Sequence, residues 1–167
     1  MTHRDLVDHG ERWLRSRSHR VIFKEHVSTH ENPDVIGWMS GGQSTLIECK
    51  TSRPDFLADQ RKRPRQSTRM ELGEHRYYLA PKGILQLSEI PEGWGLLEIY
   101  GKKRVCIRVS RESPFHRLSV HQVRNELRML VSELTLYQEI PMGKIIPQDS
   151  RRVKAILEHL RKFREDV

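Results

Sequence analysis

Two carboxylates and a lysine carry the clearest chemical signal in this chain. Pro33-Asp34 precedes Glu48-Cys49-Lys50, and the second group ends an apolar run. A carboxylate pair is a hard oxygen donor set suited to Mg2+ or Mn2+, ions that keep some water ligands and take the rest from a phosphate. An adjacent ammonium can orient or acidify an attacking water. This combination is what phosphodiester hydrolysis needs, because the nucleophile must approach an anion and charge builds on the leaving oxygen.

The elements that must position these groups can be read from periodicity. Ser44 to Lys50 has the pattern of a strand, and its period of two puts Leu46, Glu48 and Lys50 on one face, with Thr45, Ile47 and Cys49 on the other. Asp34 to Trp38 is a second short apolar run, and Ser40-Gly41-Gly42-Gln43 supplies the glycines of a tight reversal. The expected hairpin sets Asp34 beside Glu48. Glu48-Cys49-Lys50 is the sole acid-x-Lys triplet in the sequence. The same residues would also fit a plainer arrangement, in which Asp34 caps a turn and Glu48 and Lys50 form an exposed pair of small energetic value.

Around that hairpin the pattern predicts an N-terminal helix with the apolar stripe Leu6, Val7, Gly10, Trp13 and Leu14, and Glu11 at the border of its buried face. Arg20 to Lys24 reads as a strand. Ser52-Arg53-Pro54-Asp55 has capping-box spacing with proline in the first turn, and Phe56 and Leu57 begin the helix's apolar side. Arg76 to Ala80 is a strand reached by crossover, hence parallel to the motif strand. Gly95 to Tyr100 and Arg104 to Val109 form a second hairpin. Two helices close the chain, one marked by Val120, Val123, Leu127, Leu130, Val131 and Leu134, the other by Val153, Ile156, Leu157, Leu160 and Phe163.

Composition narrows the partners. The 167 residues hold 30 Lys and Arg against 22 acids, a formal charge of +8, which favours a polyanion without separating DNA from RNA. Arg53, Arg61, Lys62, Arg63, Arg65 and Arg69 follow the motif strand and could grip a nucleic-acid backbone; an ordinary solvated run has the same composition. The last helix carries another basic set, and its stripe could dock on the core or pair with a second copy in a homodimer. Nothing resembles a membrane span or a signal peptide, so a cytoplasmic setting is the expectation. Cys49 and Cys106 fall on strands without short-spaced partners, which points to buried thiols. Trp94 and the Tyr77-Tyr78 pair are expected in the core or at a sheet edge.

The motif and its surroundings resemble the PD-(D/E)xK nuclease superfamily. The stretch from Ile47 to Asp59, with His75 to Pro81 and Ile90 to Glu98, is similar to MmcB-like DNA repair proteins and related phage nucleases. The resemblance implies a restriction-endonuclease-like α/β fold, a central mixed β-sheet flanked by helices, over residues 1–113, with a C-terminal helical extension over 114–167. It implies a Mg2+- or Mn2+-dependent endonuclease acting on DNA in repair, recombination or phage DNA processing. Asp34 and Glu48 would bind metal, Lys50 would position water, and Glu11 matches a first-helix glutamate that assists in many members, including archaeal Holliday-junction resolvases. One departure stands out: Gln60 is followed four residues later by Pro64 where exonuclease branches place tyrosine, which argues against a processive exonuclease. An RNase using the same site, and a non-catalytic binding module on the same fold, stay open.

Overall fold

Every residue of the motif strand is buried, which requires a cover on both of its faces. The computed structural model describes residues 1–26, 31–60, 71–101 and 105–139. In chain order these form α1 (His3–Ser16), β1 (His19–Lys24), β2 (Val35–Met39), β3 (Ser44–Cys49), α2 (Arg53–Gln60), β4 (His75–Pro81), a 3₁₀ turn (Leu87–Glu89), β5 (Gly95–Tyr100), β6 (Cys106–Arg111) and α3 (Val120–Glu139). The strands make one six-stranded mixed sheet in sequence order. β1, β2 and β3 pair antiparallel, β3, β4 and β5 pair parallel, and β6 returns antiparallel to β5. This is an α/β fold with helices flanking the sheet and a helix at its C-terminal end, as expected. The crossover that carries α2 accounts for the parallel β3–β4 pair.

One face of the sheet is covered by α1. Thr2 caps this helix, its hydroxyl accepting from the Asp5 N–H while the Asp5 carboxylate accepts from Thr2 N. Leu6, Val7 and Leu14 then pack on Val35, Ile47, Tyr77, Leu79, Leu97 and Ile99 in a single apolar cluster. Gly10 permits the approach, since a Cβ there would stand only 3.3 Å from a Val35 methyl and 3.4 Å from Leu79. Each of the three helix side chains contributes roughly 1.5–3 kcal/mol by leaving water. His19 is buried on this face too. Its Nδ1 donates to the Leu14 carbonyl, which leaves Nε2 to accept from the Thr45 hydroxyl.

The opposite face is different in kind. Phe56 from α2 meets Tyr78 edge-on at 4.9 Å, and Tyr78 stacks on Trp94 at 4.4 Å. Buried charges lie among these rings. Tyr77, Tyr78 and Trp94 are therefore core aromatics, as their pattern suggested.

Two expectations are corrected. Cys49 is buried, but Cys106 is exposed, because β6 is an edge strand with one side open. In α2, Phe56 is buried while Leu57 is exposed, and the inward face runs from Phe56 to Asp59. The α3 helix lies where its residue pattern placed it; Gln122, Glu126, Met129 and Leu134 are buried, whereas Val120, Val123, Leu127 and Val131 are exposed. The chain forms two compact units, Met1–Asn125 and Glu126–Val167. The helix expected over Val153 to Phe163 lies outside the described residues.

Candidate active site

The β2–β3 register pairs Val35 with Ile47, and Asp34 and Glu48 are the next residues outward from that pair. Alternation then decides how Asp34 is held. The Lys50 N–H points toward β4 and donates to the Leu79 carbonyl at 2.9 Å. Cys49 N–H must point the other way, toward β2, where the ladder has already ended. Asp34 Oδ2 takes its place as acceptor at 2.7 Å, a side-chain carboxylate standing where a strand carbonyl would be. The Asp34 carbonyl accepts from Glu25 N at 2.9 Å, so the residue is anchored on both sides.

Glu48 and Lys50 project together, as the period of two requires, and both are buried at 4% and 3% exposure. That burial excludes the solvated strand pair. Lys50 Nζ donates to Glu48 Oε2 at 3.4 Å and lies 3.2 Å from Asp59 Oδ1 on α2. Asp59 is 1% exposed. Its Oδ2 accepts from the Tyr78 hydroxyl at 3.4 Å, and Tyr78 is the β4 register partner of Glu48. The cluster is thus assembled by β3, β4 and α2, with two carboxylates beside one ammonium and Asp34 at the neighbouring strand end.

Burial pushes the Asp34 carboxyl above its ordinary range; the Cys49 N–H, His3 and Lys50 oppose this, and the Asp59 charge adds to it. Burial also drives the Cys49 thiol well up, and the charges of Asp34 and Glu48 drive it further. Cys49 is accordingly an inert thiol beside the site. Asp34 and Glu48 offer hard oxygen donors that fit Mg2+ or Mn2+. Among the described residues no group of three or more His, Cys, Asp or Glu side chains has ready-made metal-ligand spacing.

The structure gives Glu11 other partners. Its Oε1 accepts from Arg15, one turn on in α1, at 2.7 and 2.9 Å, and its Oε2 pairs with Lys24 of β1 at 2.9 Å. Burial works to raise this carboxyl, but the hydrogen bonds from Lys24 and Arg15 outweigh it and hold the group below its ordinary value. The helix reaches the motif through His3 instead, whose Nε2 lies 3.3 Å from Asp34 Oδ1. Arg53 sits at the start of α2, largely exposed, with its Nε donating to Glu89 Oε1 of the 3₁₀ turn at 2.7 Å. Arg61, Lys62, Arg63, Arg65 and Arg69 lie outside the described residues.

Asp59 and His3 are the two groups that sequence reasoning did not assign. Asp59 had a visible signal: it stands three residues after Phe56, on the same side of the helix, and a carboxylate on an apolar face needs a partner. His3 had none, since it precedes the apolar stripe and its contact depends on how α1 crosses the sheet.

A second buried ionic cluster lies on the same face. The Arg76 guanidinium donates to Glu31 Oε1 at 2.9 Å, pairs with Glu71 Oε1 at 2.9 Å, and stacks 4.2 Å above the Trp94 ring. Glu31 Oε2 also accepts from Leu72 N at 2.8 Å.

No protein-family model matches the chain, and no curated protein does. Its structure is similar to that of a protein of unknown function from Silicibacter pomeroyi, with a TM-score of 0.62 at 20% sequence identity, covering 88% of this chain and 98% of that one. At that identity the likeness concerns the fold alone.

Proposed function

We propose that the chain is a divalent-metal-dependent endonuclease that hydrolyses phosphodiester bonds in DNA, in an intracellular setting such as repair, recombination or phage DNA processing. The observation that carries this is the burial of Glu48 and Lys50 together at the edge where Asp34 ends β2. Burying charges costs several kcal/mol each after relaxation, a cost that a surface ion pair would avoid. The resemblance to the PD-(D/E)xK superfamily supports the same assignment.

In this proposal Asp34 and Glu48 hold the cation, which supplies charge neutralisation at the phosphate and a more acidic water. Asp34 is kept in place by the Cys49 N–H and by its own backbone bond to Glu25. Lys50 directs its N–H groups at the attacking water or at a phosphate oxygen, restrained by Glu48 and Asp59. The basic run from Arg61 to Arg69 would grip the backbone of the bound strand, with no sequence preference of its own.

Binding and turnover should come apart experimentally. Asp34→Asn and Glu48→Gln should abolish cleavage, while DNA affinity measured in EDTA stays equal or rises, because a carboxylate beside phosphate repels it without an ion. Replacing Arg61, Lys62 and Arg63 together should flatten the dependence of log affinity on log salt by up to about 2–3, given roughly 0.9 per phosphate contact. Wild-type protein that binds DNA tightly but cuts neither DNA nor RNA in Mg2+ or Mn2+ would make it a binding module. Cleavage confined to RNA would make it an RNase.

A further inference from the structure

The Lys50 ammonium faces two carboxylates of unequal standing. Glu48 lies on the same strand two residues away and shares the strand end with Asp34, the pair proposed to hold the cation. Asp59 comes from another element, is 1% exposed, and is steadied by the Tyr78 hydroxyl at 3.4 Å; Tyr78 is itself locked between Phe56 and Trp94. A divalent ion on Glu48 would weaken that carboxylate's hold on Lys50 and would repel the ammonium directly. Such repulsion between near neighbours is strong at the effective dielectric of a protein interior. An amine that must act beside the ion therefore needs a counterion that the ion does not take.

We propose that Asp59 is that counterion: a positioning residue that keeps the Lys50 amine at the site when Glu48 turns to the metal. This rests on the nuclease assignment, and it gives α2 a role in the reaction beyond covering the sheet. Asp59→Asn is the informative change because it preserves size and can still accept from Tyr78, while the charge is lost. Tyr78→Phe is the milder companion, since it frees Asp59 Oδ2 without altering charge.

The test uses the full chain with lysine labelled by 15N. The Lys50 ammonium resonance, assigned by its absence in Lys50→Arg, is followed while Mg2+ is added, and Mn2+ affinity is measured calorimetrically. In wild type the resonance should persist at saturating Mg2+. In Asp59→Asn it should vanish or broaden once Mg2+ is present, and kcat should fall about 10²-fold with KM little changed, as expected for a misplaced catalytic group. Tyr78→Phe should move both readouts in the same direction by less. Mn2+ affinity of Asp59→Asn should stay within about tenfold of wild type, whereas Asp34→Asn loses at least about 100-fold, the range seen when a metal site is damaged. A loss in Asp59→Asn as large as that in Asp34→Asn would make Asp59 a ligand and overturn the proposal. So would a Lys50 resonance that survives Mg2+ unchanged without Asp59. Absence of any cleavage by wild type would instead remove the nuclease assignment, and the resonance would still decide whether Asp59 holds the amine. If Asp59→Asn does not fold, Tyr78→Phe and the wild-type titration give the same decision.

Discussion

The two ionic clusters buried on the α2 side of the sheet are built from the same kinds of group but differ in how firmly they are bonded. Arg76 spreads a planar fork over Glu31 and Glu71 at 2.9 Å each and rests on the Trp94 ring. Its geometry is that of a structural clamp, with directional bonds and a stacked face. Lys50 instead lies 3.2 and 3.4 Å from its two carboxylates, and Asp34 brings a third within range of its charge. Long contacts beside the Asp34 strand end suit the cation site proposed above. The difference teaches that burial of charge alone does not mark a site; how tightly the charges are bonded separates a clamp from the proposed site.

Breaking the clamp should have the largest effect. Arg76→Leu takes the guanidinium away from the buried Glu31 and the half-buried Glu71 and should lower stability by about 3–5 kcal/mol, measured by urea denaturation. Mg2+ should not restore it. Lys50→Ala should cost about 2–4 kcal/mol in EDTA by the same reasoning, but Mg2+ should return a good part of that loss, since the ion can replace the missing positive charge. Equal behaviour of the two variants toward Mg2+ would erase the distinction between clamp and site. In wild type, Mg2+ at ten times its Kd should stabilise by about 1.4 kcal/mol, and that gain should disappear in Glu48→Gln.

A smaller effect should come from the other face. Burial holds the His19 imidazole below its ordinary pKa, against the hydrogen-bonding that favours its charged form. The unfolded chain therefore takes up this proton first on acidification. The stability tied to neutral His19 is complete above about pH 6.5 and is lost as pH falls below that, at no more than about 1.4 kcal/mol per pH unit. His19→Gln should remove this part of the acid sensitivity in denaturation curves, with or without Mg2+. Smallest of all, Ser18 ends α1 with φ at 66°, a left-handed position that glycine adopts without penalty. Ser18→Gly should change stability by less than about 1 kcal/mol in the favourable direction and leave both clusters untouched.

Much of the site was legible because a strand's period is rigid. Once Ser44 to Cys49 is a strand, Glu48 and Lys50 must share a face, and the short Gly-containing turn must return Asp34 to its end. Partner choice across elements is not encoded that way. Glu11 lies where a border glutamate could turn either way, and Arg15 and Lys24 decided it. Asp59 belongs to the site only because the crossover lays α2 over the β3–β4 pair. In α3 the Val and Leu positions marked the helix, but its buried residues include Gln122 and Glu126 beside Met129 and Leu134. Periodicity shows that a helix has two sides; it does not show which one a neighbour covers.

The most direct test of the central claim is single-turnover cleavage by the purified full chain. End-labelled linear duplex, single-stranded, flap and four-way-junction DNA, with matching RNAs, would be incubated in Mg2+, in Mn2+ and in EDTA, beside Glu48→Gln. The structure and the motif together predict metal-dependent internal cuts in at least one DNA substrate, none in EDTA and none by Glu48→Gln. Equal cleavage by Glu48→Gln, or no cleavage of any DNA by well-folded wild type in either metal, would contradict it.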